Sequence, residues 1–248
     1  MNTATARITD RRRNSSRWLR DVLRADIMRD YFADGVLPTE SELMLSYRAS
    51  RGTVRDALDL LRHEGVIERI PGTGTLVVTR RFEGRLVEIH GVTEVNPSAF
   101  AAHVLACDEI PMPAVVAFHL DEPVGTPCLL LEYIGIAHGG VVGLYSNYVR
   151  YPEADRIAAT PFHGHWYALL ADAGLELAET DLLIEACVAD EVVAERLGIP
   201  LGRPLLAMQQ VIRDSAGRPY DFAILRHRAD RLAILSEAHR PEMMGLGR

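Results

Sequence analysis

Two arginines, Arg51 and Arg55, stand four residues apart in the run Ser50-Arg51-Gly52-Thr53-Val54-Arg55. On a helix that spacing is about one turn, so both side chains share a face. A guanidinium carries a planar fork of N–H donors that fits guanine O6 and N7 in the DNA major groove, and it also pairs with phosphate. Ser50 and Thr53 add short hydroxyls suited to phosphates or bases. Further along, Pro71-Gly72-Thr73-Gly74 carries two glycines, which let a backbone approach a sugar-phosphate chain closely. An isolated arginine pair is more often a solvated helix face. The order of the surrounding elements reverses that reading.

Those elements follow from local signals. A first helix is expected from about Ser16 to Ala33, with Trp18, Val22, Ala25, Ile27, Met28, Tyr31 and Phe32 as an apolar stripe. Gly35 ends it and Pro38 prevents continuation. Thr39 and Glu42 form a T-x-x-E capping box that opens a short helix through about Tyr47, with Leu43 and Met44 inward. Ser50 caps the third helix, whose buried face is Val54, Ala57, Leu58 and Leu61, and Gly65 closes it. Two β-branched runs then flank Pro71–Gly74 as a hairpin. Helix-turn-helix plus hairpin is a winged helix, and its third helix is placed to enter the major groove by its first turn.

Charge is distributed to match. The whole chain of 248 residues carries a net −7, yet residues 1–81 hold 15 arginines against 11 acidic residues and the remainder 12 against 23. A basic part joined to an acidic one suits one domain on a polyanion and another kept off it. Lysine is absent, which excludes a working P-loop and a pyridoxal-phosphate Schiff base. No apolar run approaches the roughly 20 residues that span a bilayer, so no membrane association is expected. The start, residues 1–15, has basic residues with no apolar stretch behind them and is expected to be a disordered basic arm rather than a signal peptide. Cys107, Cys128 and Cys187 form no CxxC pair and are expected to be reduced thiols of a cytoplasmic protein.

The segments LPTESEL, SRGTVRDALDLLRHEG and GTGT, in this order, resemble the winged helix of the GntR family of bacterial regulators. The resemblance implies binding to double-stranded operator DNA through Glu40, Ser50, Arg51, Thr53, Arg55 and the wing tip Gly72, Thr73 and Gly74. Two departures stand out: Ser41 occupies a position where the family usually has a DNA-contacting arginine, and the link Asp34-Gly35-Val36 is short.

Beyond Arg81 the composition changes. Strands are expected at Ala114–Leu120, Cys128–Ala137, Val141–Val149, Leu182–Val188, Leu205–Arg213 and Tyr220–His227, with helices near Pro152–Ala159, Gly164–Ala173 and Glu191–Gly198. Turns at 138–140 and 214–217 suggest hairpins and an antiparallel sheet. The stretches CLLLEYIGIAHGGVVGLYSNYVR, HGHWYALLADAGLEL and LGIPLGRPLL resemble the UTRA effector domain of the branch named for the histidine-utilisation repressor. That resemblance implies a chorismate-lyase-like fold. Phosphosugar sensors of this branch carry arginines just after the glutamate that matches Glu132. Here the sequence continues Tyr133-Ile134-Gly135. A phosphate needs concentrated positive charge or a nest of backbone N–H groups. The expected effector is therefore a small unphosphorylated molecule, with Tyr133, Tyr145, Asn147, His165, Glu185, Asp221 and Arg226 as pocket residues. Arg226, His227 and Arg228 are the available source of positive charge should the ligand be an anion. His163-Gly164-His165 lacks a third placed ligand, so no metal is expected.

The fold class expected is α+β: arm 1–15, winged helix-turn-helix 16–81, linker 82–92, and an antiparallel-sheet UTRA-like effector and dimerisation domain at 93–248. The function expected is a homodimeric, ligand-responsive repressor, with no cofactor, no metal and no catalytic residues. Two other readings remain open: a degenerate sensor that serves only for dimerisation, and an enzyme fused to a DNA-binding domain.

Overall fold

The computed structural model describes residues 3–29, 31–32, 34–78, 82–89, 100–137, 139–162 and 164–236. The chain divides into two compact units, Met1–Arg80 and Arg81–Arg248.

In the first unit, α1 (Thr3–Met28) precedes a short strand β1 (Val36–Leu37), then α2 (Glu40–Ser46) and α3 (Arg51–His63). Strands β2 (Ile67–Ile70) and β3 (Gly74–Val77) form the wing, and β1 pairs with β3 to give the order β1-β3-β2. The helix begins at Thr3, inside the segment 1–15 expected as an arm, and nothing in that segment breaks a helix, since it holds neither glycine nor proline. The helix also stops earlier than expected, at Met28, and its buried face is Leu19, Leu23 and Ile27. Trp18 is 56% exposed and Tyr31 73% exposed, so aromatic bulk is a poor guide to which stripe faces the core. Leu19, Leu23 and Ile27 pack on Leu43 of α2 and on Val54, Ala57, Leu58 and Leu61, whose i, i+3, i+4, i+7 spacing on α3 requires one buried face.

In the second unit, β4 (Phe82–Arg85) and a helical turn α4 (Leu86–Ile89) come first. The main sheet is built from β5 (Phe100–Pro111), β6 (Pro127–Ala137), β7 (Gly140–Arg150), β8 (Glu179–Val188), β9 (Pro204–Arg213) and β10 (Pro219–Arg228). Its order is β5-β6-β7-β10-β9-β8, with each adjacent pair antiparallel. Helix α5 (Ala114–Leu120) joins β5 to β6, α6 (Glu153–Ala158) and α7 (Trp166–Asp172) follow β7, and α8 (Glu191–Leu197) follows β8. A last strand, β11 (Leu232–Leu235), pairs in parallel with β4.

Three expectations are corrected here. The apolar run Ala114–Leu120 is a helix, not a strand: Pro113 stands at its N-cap, and Val116, Ala117 and Leu120 are buried at helical spacing while Val115 and Phe118 face water. The edge strand β5 is not among the expected strands, because its mixed residues with several exposed positions carry no clean alternation. The expected linker 82–92 contains β4 and α4, and residues 90–92 lie outside the described residues.

Both faces of the sheet are covered. Leu129, Leu131, Tyr133, Tyr145 and Val149 pack against Ala154, Ile157, Trp166, Leu169 and Leu170 of α6 and α7. On the opposite face α5 packs on Cys128, Val211 and Phe222, and α8 packs on Leu144 and Leu205.

Candidate functional site

The DNA-reading end starts with two capped helices. Thr39 Oγ1 accepts from the Glu42 N–H at 3.3 Å while the Glu42 carboxylate accepts from the Thr39 N–H at 2.8 Å, the reciprocal capping box expected from T-x-x-E. The Thr39 N–H and, after it, the Thr39 hydroxyl donate to the Glu42 carboxylate and hold it below its ordinary pKa. Ser50 Oγ caps α3 by accepting from the Thr53 N–H at 3.2 Å, and its hydroxyl also lies 2.9 Å from Thr53 Oγ1. Thr53 is buried, so it and Ser50 fix where α3 begins.

Arg51 and Arg55 are exposed on the first two turns of α3. Arg55 Nε donates to Glu40 Oε2 at 2.9 Å. A carboxylate beside a phosphate chain would be repelled, but here Glu40 holds Arg55 by its Nε and leaves the terminal nitrogens as a fork. At the wing tip Gly72 has φ +82° and Gly74 φ +118°, conformations that favour glycine, and Gly72, Thr73 and Gly74 are all exposed. Ser41, standing where the family has arginine, is exposed on α2.

The second site is a cavity of about 70 Å³, space for several waters, between the α7 side of the sheet and α7 itself. Three expected residues line it: Tyr133, Tyr145 and His165. Tyr133 and Tyr145 stack with ring centroids 4.8 Å apart, and Phe100 closes edge-on over Tyr145 at 6.0 Å and over His165 at 5.4 Å. Tyr145 Oη lies 3.2 Å from His227 Nδ1. Withdrawal from water pushes His165 down to about 4 and His227 down to about 3, with the neighbouring His165 adding to the second effect. The same desolvation raises the Tyr133 and Tyr145 phenols. Both imidazoles are thus neutral near pH 7.

Gly135 explains how the rings fit. A Cβ there would lie 2.3 Å from Phe100 Cζ and 2.5 Å from Tyr145 Cε2, so the two aromatic rings occupy the space above its backbone. Across the cavity, Tyr167 donates to the Ile89 carbonyl and accepts from Gln210 Nε2 at 2.7 Å. Gln210 also donates to Thr180 Oγ1 at 3.1 Å. The helical turn α4 is therefore tied to the cavity wall through its last carbonyl.

The other expected pocket residues are elsewhere. Asn147 and Asp221 are fully buried among the side chains beneath the cavity: Asp221 accepts from Trp166 Nε1 at 2.8 Å and from Asn147 Nδ2 at 3.1 and 3.2 Å. Burial pushes the Asp221 carboxyl up to about 7, against the two hydrogen bonds that favour its ionised form. Asn147 Oδ1 is buried there with no hydrogen-bond partner. This network pins α7 to the sheet.

Arg226 pairs in register with Leu144 and Ala207, while its neighbour Leu225 pairs with Tyr145 and Met208. Since adjacent strand residues point to opposite faces, Arg226 lies on the α8 side with Leu144. Glu185, paired with Ala207, is exposed on that same side. Both are corrected: neither lines the cavity. The alternation itself carried the signal, because Asp221 and Arg226 differ by an odd number and cannot share a face of an unbroken strand. The same rule points to His227. Phe100 on β5, Trp166 and Tyr167 on α7 and Gln210 on β9 also escape the sequence reading; only the tertiary fold brings these three elements together. His163 lies outside the described residues. Among the described residues no helix is long and apolar enough to cross a membrane.

The comparisons match both units of the chain. The profile of bacterial regulatory proteins of the gntR family matches residues 16–77, and the UTRA domain profile matches residues 98–233. The HTH-type transcriptional regulator GmuR of Bacillus subtilis is 27% identical over 83% of this chain and 90% of its own length. A probable fructoselysine utilization operon transcriptional repressor of Escherichia coli K12 is 26% identical over 82% of this chain and 86% of its own. The crystal structure of PhnF from Mycobacterium smegmatis shares the fold with a TM-score of 0.61 at 22% identity, covering 89% of this chain and 99% of that one. With a DNA-binding module at one end and an effector-binding module over more than half its length, this chain belongs to the GntR family of bacterial transcriptional regulators, in the branch whose sensor is a UTRA domain.

Proposed function

We propose that the protein is a cytoplasmic, homodimeric repressor that binds a two-fold operator through α3 and the wing and leaves it when a small unphosphorylated metabolite fills the cavity. The carrying observation is the cavity wall itself. Tyr133 and Gly135 stand on β6 where phosphosugar sensors of this branch carry arginines, and among the described residues that line the cavity there is no arginine. Its two imidazoles are neutral near pH 7, so a dianion would enter without a counter-charge. Aromatic walls with a few hydrogen-bonding groups suit a neutral planar or sugar-like ligand. The relatives' names, which include repressors, favour repression, and regulators rather than catalysts.

The route to DNA runs through α4. A ligand that takes the hydrogen bonds of Tyr167 and Gln210 competes with the Ile89 carbonyl and so loosens the segment that follows the reader in the chain. Such a ligand acts only through its differential affinity for the DNA-competent and incompetent arrangements. A coupling of about 1–3 kcal/mol would weaken operator binding roughly 5–150-fold.

Gel-shift titration of the operator complex with phosphorylated sugars and matched unphosphorylated metabolites tests this. Release by unphosphorylated compounds, abolished in Tyr167→Phe, is the expected result. Release by phosphosugars alone would overturn the ligand class. A thermal-shift screen in which no compound stabilises the protein would favour a sensor reduced to a dimerisation module, because saturating ligand at 100 times its Kd adds about 2.7 kcal/mol.

A further inference from the structure

The room and the bonding of the cavity on the α7 side of the sheet narrow what can occupy it. Its volume of about 70 Å³ admits roughly five to seven waters at about 10–15 Å³ each. In the liquid those waters fill roughly 150–210 Å³, at about 30 Å³ apiece, which is the room of one six-membered ring with a small substituent. The hydrogen-bonding side chains around it divide into engaged and idle groups. Trp166 Nε1 is held by Asp221, and Tyr145 Oη by His227 Nδ1. Gln210 Nε2 lies 2.7 Å from Tyr167 Oη, 3.1 Å from Thr180 Oγ1 and 3.3 Å from the Ile89 carbonyl. Among the described residues, Tyr133 Oη, His165 Nε2 and His227 Nε2 have no partner. His165 Nδ1 accepts from the Tyr167 N–H at 3.4 Å, so in the neutral ring the proton sits on Nε2, which is a donor.

Three idle side-chain groups are too few for a sugar. A pyranose carries a hydroxyl on nearly every ring carbon, and each one buried without a partner costs more than a made hydrogen bond returns. The walls are aromatic instead. Trp166 lies 6.5 Å from Tyr133 with the rings 17° from parallel, and Phe100 stands edge-on to Tyr145 and His165. Such surfaces take a planar ring by offset stacking or by edge contact. The Ile89 carbonyl shows which polar group that ring carries. It accepts from both Tyr167 Oη and Gln210 Nε2, so whatever takes its place must be an oxygen that receives two donors at once. A carbonyl oxygen, with two lone pairs and no proton of its own, meets that demand.

We propose that the effector is a neutral single-ring aromatic carbonyl compound whose oxygen replaces the Ile89 carbonyl at Tyr167 and Gln210. This deepens the reading above and rests on the cavity being the effector site. The ring supplies the stacking, and the oxygen takes the two donors that hold the last residue of α4.

The chain has two tryptophans, Trp18 exposed on α1 and Trp166 in the cavity wall, so Trp18→Phe in the full chain leaves one reporter at the site. In that variant benzamide and acetophenone should change Trp166 emission saturably. Cyclohexanecarboxamide keeps the carbonyl without the π face, and toluene keeps the ring without the carbonyl. Each should bind at least about 10-fold more weakly than benzamide. Glucose and N-acetylglucosamine should give no response. Benzamide, but not toluene, should also speed hydrogen exchange in the peptide that spans α4, because only a carbonyl displaces Ile89. Toluene binding as tightly as benzamide overturns the proposal, as does benzamide binding with α4 exchange unchanged. No saturable response to benzamide or acetophenone at millimolar concentration overturns it as well. If glucose responds in their place, the unphosphorylated effector still stands; if glucose 6-phosphate alone responds, both readings fall.

Discussion

Arg51 and Arg55 stand in solvent on a helix fixed by caps a few residues away, whereas Tyr133, Tyr145, His165 and His227 meet in a cavity assembled from three strands and a loop. The first arrangement keeps its charges hydrated until a polyanion displaces the water and counterions. The second has already stripped its polar groups of water, and two imidazoles are held neutral as a result. The contrast teaches that a surface reader can be specified by short motifs, while a pocket is specified by register. A change of one residue in strand parity moves a side chain to the other face of the sheet.

The sharpest way to test the contrast is to remove an anchor. Trp166→Ala empties a core position and takes away a donor to buried Asp221. The loss should be about 3–5 kcal/mol. Denaturant unfolding followed in the second unit should show it, while a shift confined to the reader would refute the assigned role. Next, Arg51→Ala and Arg55→Ala should each cost about 1–3 kcal/mol on the operator and less on random DNA. Equal losses on both duplexes would demote them to phosphate contacts.

Acid separates the two regions further. The His165 and His227 pKa values lie below the ordinary 6.5 in the folded protein, so the unfolded chain takes up their protons first and stability falls as pH drops from 6.5 through about 4 for His165 and about 3 for His227. Asp221 opposes this: its folded pKa, about 7, lies above the ordinary 3.8, so the stability it contributes is complete below 3.8 and is lost as pH rises through 7. Asp221→Asn should therefore steepen the acid loss of Tm between pH 6.5 and 4, and a flatter profile would contradict the assignment. The smallest effect belongs to Glu40→Gln. An exposed ion pair is worth about 0.2–1 kcal/mol, so folding should barely change. Operator affinity should drop slightly as Arg55 loses its tether.

What could be read from the sequence follows the same division. Thr39, Glu42 and Ser50 act on backbone groups three residues away, so local spacing suffices to place α2 and α3. The strands β6 to β10 announce themselves through β-branched runs between turns. The run 114–120 misleads because it is apolar and short, and only the flanking Pro113 marks it as a helix start. Asp221 and Asn147 are special residues, as their polar types on apolar strands suggest, yet their partner Trp166 is distant in sequence, so a buried anchor looks like a ligand contact. Trp18 is the mirror case, a large aromatic that stays in water on α1.

Gly135 has a consequence for how such sensors diverge. An arginine placed there meets Phe100 and Tyr145 at its Cβ, before its charge can help. An arginine placed at 133 alone would remove the ring that stacks on Tyr145 and leave a cation among aromatic walls. Neither single step toward a phosphate site is neutral, and the rings must shrink before the charges arrive. The two substitutions are therefore strongly non-additive. A lineage with this pocket would reach an anionic effector only through an intermediate that binds neither class of ligand well, so the aromatic pocket, once formed, tends to hold its own lineage in place.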